Sequence, residues 1–166
     1  EVPAEVRAEA AADAAGEWLL TSHDGYRVSH GLVHQRRLFL AFGGRDFRGE
    51  DTVIAETDKD RRLLDRARAQ RGPLSAGLPF AARFHVHPDL DVAIAGTGAE
   101  IAGGGALWRM SQQGGSVSLD SGVWFDPDAR RPRATKQIVV TAAVEGYGGR
   151  VTWAFRREDA PRPQPG

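Results

Sequence analysis

The chain has 166 residues with 22 Lys plus Arg against 22 Asp plus Glu, so its formal net charge is zero and it has no cysteine. Size fits one domain with a real core. Neutrality excludes a global field that draws the chain to nucleic acid or an anionic membrane, though not a local basic cleft. The missing cysteines exclude disulfides and thiolate metal sites, and no apolar run approaches the ~20 residues of a membrane-spanning helix.

Period-2 hydrophobicity runs from end to end, and twenty glycines and nine prolines punctuate it. Glu17 to Thr21 reads as a strand, and Leu32 to Phe42 as a second, with Leu38, Leu40 and Phe42 on one face. Gly43-Gly44 turns the chain and Phe47 to Ala55 runs back, so these two form a hairpin. The charged stretch Asp58 to Arg71 breaks the alternation. With only Leu63, Leu64 and Ala67 as an apolar stripe, it reads as a short exposed helix or loop, within an exposed insertion over 58–77. Strands resume at Phe80 to Val86, Val92 to Ala95, Glu100 to Ile101, Ala106 to Gln112, Ser116 to Leu119 and Val123 to Phe125. Lys136 to Ala142 and Arg150 to Phe155 make a last pair, joined through Gly146, Gly148 and Gly149. About ten strands at 8–12-residue spacing describe an all-β antiparallel sandwich over 1–157. The Pro-rich tail 158–166 cannot build ladder bonds and reads as disordered.

Three stretches carry side chains capable of chemistry. His23-Asp24-Gly25-Tyr26 ends a strand. Its imidazole and phenol could face a cleft, or its Asp could simply cap backbone amides in a turn. In His34-Gln35-Arg36 the first and third residues share a strand face. Arg36 could grip a carboxylate or sulfate, or pair with Asp51 or Glu50 across the hairpin. His85-Val86-His87 places two imidazoles on one face, as a cupin-like metal site would. However, Pro79 stands where such a site opens with Gly, and no histidine follows His87, so the ligand set is incomplete. Trp18, Trp108, Trp124 and Trp153 could stack on sugars, but each lies in an alternating strand and core packing is expected for most. No nucleophile elbow or phosphate loop is present.

Taken in order, several runs together carry a family resemblance. They are Trp18-Leu19 through His23-Asp24-Gly25-Tyr26, His34-Gln35-Arg36-Arg37-Leu38-Phe39-Leu40, Gly49-Glu50-Asp51, Pro79-Phe80 through Phe84-His85-Val86-His87-Pro88, Gly114-Gly115-Ser116-Val117-Ser118-Leu119, Arg131-Pro132-Arg133-Ala134-Thr135-Lys136-Gln137 and Val151-Thr152-Trp153-Ala154-Phe155. In this order the chain resembles the C-terminal region of bacterial heparinase II/III-like polysaccharide lyases over residues 16–157. The resemblance implies a supersandwich attached to an α/α toroid in a larger protein. That protein would cleave acidic polysaccharides such as glycosaminoglycans or alginate by β-elimination, often in the periplasm or cell envelope. It implies that the main catalytic residues, and any ligands for a divalent metal such as zinc, lie upstream of this chain. What remains here is support and one wall of the cleft, to which His23, Tyr26 or Arg36 could contribute. Two other readings stay open: a free-standing carbohydrate-binding sandwich, and the cupin-like metal site at His85 and His87.

Overall fold

The structure, a computed structural model, describes residues 2–71 and 77–158. The strands are β1 (Val6–Ala12), β2 (Gly16–Tyr26), β3 (Leu32–Ala41), β4 (Asp46–Ile54), β5 (Leu78–His85), β6 (Asp91–Ala95), β7 (Gly98–Gly103), β8 (Ala106–Gln113), β9 (Ser116–Asp126), β10 (Arg131–Val144) and β11 (Gly148–Glu158). Two helices interrupt them, α1 (Arg27–His30) and α2 (Asp58–Arg71). An eight-stranded sheet runs β1-β2-β3-β4-β11-β8-β7-β6, and a three-stranded sheet runs β5-β10-β9. Their ladders are antiparallel throughout, so the expected sandwich is the observed architecture.

The core fills the space between the sheets. Ala82, Ile138 and Val140 from the small sheet meet Val92, Ala99, Met110, Val151 and Trp153 from the large one. Trp153 is the centre of an aromatic group, with Phe47, Phe84 and Phe155 edge-on at centroid distances of 5.2, 4.8 and 5.7 Å. Gly49 lies opposite Trp153 in the ladder, and a Cβ there would come within 2.4 Å of the indole. The indole thus rests on bare backbone, which only glycine provides.

The strand pattern departs from the sequence expectation in four places. Strand β1 was not expected: its Val-Arg-Ala-Glu-Ala-Ala-Ala sequence is exposed along its whole length, so it carries no inside-outside alternation. The two runs at Ser116 to Leu119 and Val123 to Phe125 are one strand, β9, continuous through Gly122. Strand β10 starts at Arg131 rather than Lys136. Pro132 is tolerated because β10 has only β9 beside it there. Finally, β10 and β11 are not hairpin partners. Apart from the Glu145–Gly148 bridge (N···O 2.8 and 3.0 Å), β10 ladders with the small sheet and β11 with the large one. The glycine-rich connection is therefore a corner between layers.

The charged stretch after β4 is anchored rather than merely exposed. Thr57 Oγ1 accepts the Asp60 amide, and Asp60 Oδ2 accepts the Thr57 amide, both at 3.1 Å. This reciprocal cap starts α2, with Asp in the role more often taken by Glu. Leu64 is fully buried among Leu32, Val53, Ala55, Leu78 and Val144, a second core cluster at the end of the sandwich. Gly31, at φ 66°, lets α1 approach α2 so closely that a Cβ would sit 2.1 Å from the Asp60 carbonyl oxygen. Residues 72–76 of the expected insertion, and 159–166 of the Pro-rich tail, lie outside the described residues. Truncating the anchor, Leu64→Ala, is expected to cost about 3 kcal/mol in urea unfolding, as for other fully buried leucines. A loss below about 0.5 kcal/mol, the size of a neutral surface change, would show that α2 is not part of the folded core.

Candidate functional site

Ladder register brings one group of polar side chains to the inner face of the large sheet. Arg36 pairs with Asp51, His34 with Val53 and His23, and Asp51 with Val151. Cross-strand partners share a face, so His23, His34, Arg36 and Asp51 all project toward the layer gap. Asp51 is 2% exposed. Its Oδ1 accepts from Arg36 Nε at 2.6 Å and from His34 Nε2 at 2.7 Å, and its Oδ2 accepts from Trp153 Nε1 at 2.8 Å. Burial by itself pushes this carboxyl group up. The three hydrogen bonds from His34, Arg36 and Trp153 outweigh burial and bring its pKa down to about 2.

The hydrogen bonds continue beyond His34. His34 Nδ1 lies 3.1 Å from His23 Nε2, and His23 Nδ1 accepts the Gly25 amide at 3.2 Å. The amide can only donate, which fixes His23 as the Nε2–H tautomer. His23 then donates to His34 Nδ1, and His34 Nε2 donates to Asp51. Burial lowers the His23 pKa, and the neighbouring His34 lowers it further. The result is a line of hydrogen-bonded imidazoles running from a backbone amide to a buried carboxylate. Donors arranged in a line do not converge on one point, and among the described residues no three His, Asp or Glu side chains form a group able to hold a metal.

A cleft of about 350 Å³ opens where the cover of the small sheet ends, between β2–β4 on one side and β5 on the other. His23, Tyr26, Arg36 and Arg71 are among its lining residues, with Phe80 and Leu78 as apolar wall. His23, Tyr26 and Arg36, the three cleft candidates from sequence, thus line one cavity. Tyr26 is half exposed at the rim, its ring centroid 5.4 Å from that of His23. Asp24 turns away and accepts the Ala4 and Glu5 amides, both at 2.9 Å, which is the capping role. Gly25 is buried at a strand irregularity and its φ is not positive. His85 and His87 lie elsewhere. His85 is exposed on the outer face of β5, while His87 stacks edge-on to Trp124 at 4.9 Å and lies 3.7 Å from Asp89. Of the four tryptophans only Trp153 is buried. Trp18, Trp108 and Trp124 are half-buried, against the core role expected for most.

Sequence reasoning missed Asp51 as the hub and Trp153 as its donor. A signal for the first was present: a hairpin turning on Gly43-Gly44 sets Arg36 opposite Asp51, each seven residues from the nearer glycine. No local signal pointed to Trp153, which is 102 residues away from Asp51.

Asp51 is depressed in the fold, so its contribution is present above the unfolded carboxyl pKa and lost as pH falls toward 2. That contribution is about 2 kcal/mol by linkage. His23 adds to the loss from higher pH, because the unfolded chain takes up its proton first. Urea midpoints should therefore fall steeply between about pH 5 and pH 2 in the wild type and less in Asp51→Asn. Identical acid limbs in the two would contradict the assignment.

Residues 1–154 match the family described as "Heparinase II/III-like, C-terminal". The chain is 33% identical over 160 residues to FtsZ-localized protein C of Caulobacter vibrioides, covering 94% of this chain and 26% of that protein. Among solved structures, heparan sulfate lyase HepC from Pedobacter heparinus superposes with a TM-score of 0.67 at 11% identity, over 96% of this chain and 22% of that one. The heparinase III product BT4657 gives 0.66 at 12% identity, over 93% of this chain and 21% of that one. The likeness to the lyases is one of fold, and the chain spans about a quarter of the length of the curated relative. It belongs to the heparinase II/III-like family, as that family's C-terminal β-sandwich domain.

Proposed function

We propose that this domain supports, and forms one wall of, the substrate cleft of a larger heparinase II/III-like protein that cleaves acidic polysaccharides. The observation that carries this reading is the cleft at Arg36, placed on the sandwich that the family match identifies. In the reaction a base takes the C5 proton of a uronate, the C4–O bond breaks as the C4–C5 double bond forms, and an acid protonates the departing oxygen. In this chain the imidazoles of His23 and His34 are bonded to each other and closed off at both ends, so the bond-breaking groups belong to other parts of the whole protein. These include an α/α toroid against which the sandwich packs, and the ligands for any divalent metal such as zinc. Glycosaminoglycans and alginate are the substrate classes, and the periplasm or cell envelope is the compartment.

A second reading rests on sequence identity. The 33% identity to FtsZ-localized protein C far exceeds the 11–12% to the two lyases. On that reading the whole protein acts beside FtsZ, and the domain serves as a binding or structural module.

One experiment separates them. The whole protein and the isolated chain are assayed for new unsaturated uronate ends by ultraviolet absorbance on heparin, heparan sulfate, chondroitin and alginate. A fluorescent fusion of the whole protein is imaged beside labelled FtsZ. Turnover by the whole protein and none by the chain supports the lyase reading. No turnover by either, with co-localisation at FtsZ, replaces it with the second. Turnover by the chain alone overturns the assignment of the chemistry to other segments.

A further inference from the structure

The polar network around Asp51 satisfies all its members but one. Asp51 Oδ1 and Oδ2, both nitrogens of His34 and both nitrogens of His23 have partners. Arg36 uses only Nε for Asp51, and among the described residues its Nη1 and Nη2 have no partner. The guanidinium is one-third exposed and lines the cleft. Asp51 also borders the cleft but is 2% exposed and has both oxygens occupied by donors, so Arg36 is the more accessible of the pair. Arg71, exposed at the end of α2 and without an ion-pair partner among the described residues, adds a second cation to the same cavity.

We propose that the cleft is an oxyanion-binding subsite that grips a carboxylate or sulfate of an acidic sugar on the Nη1–Nη2 edge of Arg36, with Arg71 as the second cation. This deepens the lyase reading and rests on its substrate class. A guanidinium held at Nε by a buried carboxylate presents its remaining donors as a fixed fork, which suits the two oxygens of an oxyanion. The rim phenol of Tyr26 offers a flat face for the C–H side of the sugar ring, and the cavity is of ligand size. Arg36 is thus a binding residue, and His23 positions it through His34 and Asp51 rather than moving protons. A lysine could not replace Arg36, because a single ammonium cannot both hold Asp51 and present a fork.

The test reads binding without turnover, so it can fail independently of the lyase reading. The 166-residue chain is titrated with methyl glucuronide, methyl glucoside 6-sulfate and neutral methyl glucoside, and the Arg36 Nε–H and the Tyr26 and Ala81 amide resonances are followed. At least one anionic glycoside is expected to shift them and the neutral glycoside is not. The stronger of the two identifies carboxylate or sulfate as the group held. Arg36→Lys and Arg71→Ala should each weaken binding at least fivefold. Arg71 is exposed, so its variant folds even if the Arg36 change does not. Equal response to the neutral glycoside, no response to any of the three, or unchanged affinity in Arg71→Ala would overturn the proposal.

Discussion

A buried carboxylate with three donors from two neighbouring strands organises this domain. Asp51 on β4 takes one hydrogen bond from β11 and two from β3, so it ties the amino-terminal meander to the strand that returns from the far end of the chain. Side chains alternate along a strand, so a one-residue slip of β4 against β11 would turn Asp51 to the outer face and leave the Trp153 indole against a side chain instead of Gly49. The same slip would take the acceptor from three donors, one of them the buried Trp153 indole. The carboxylate therefore fixes register, in addition to whatever net stability it contributes.

The unequal sheets explain where the polar group lies. Three strands cannot cover eight. The small sheet covers the β11-β8-β7-β6 side, where the core is dense, and leaves the inner face of β1–β3 open, with Val6, Leu19 and Leu40 exposed. Asp51, His34 and Arg36 sit on the boundary. The carboxylate is on the dry side, held by an indole, while the guanidinium reaches the wet side. A network satisfied everywhere except at the outward edge of Arg36 holds that edge rigidly, and rigidity is what a recognition edge requires.

Much of the fold was legible because it is local. Alternation gave the strands, Gly43-Gly44 gave the hairpin, and the hairpin placed Arg36 against Asp51. What was not legible depends on distant partners. Strand β1 has no buried face and so no pattern. The corner after Val144 has the glycines of a hairpin, yet the two strands it joins lie in different layers, a choice made by packing 50 to 100 residues away. Helix α2 looked like solvated charge because Leu64 is its one buried apolar residue and its cap uses Asp60 in place of Glu. Trp153 reads as core from its strand pattern and is core, but its indole N–H role depends on a carboxylate brought in from another hairpin.

A double-mutant cycle on Asp51 and Trp153, by urea unfolding near neutral pH, tests the hub most directly. Asp51→Ala is expected to lose about 3 kcal/mol or more, since it leaves a guanidinium and an indole N–H without their acceptor. Trp153→Phe should cost much less in the Asp51→Ala background than in the wild type, with a coupling of at least about 1 kcal/mol. Strictly additive losses, or an Asp51→Ala loss below about 1 kcal/mol, would mean that the sandwich holds its register by apolar packing and that Asp51 is not its hub.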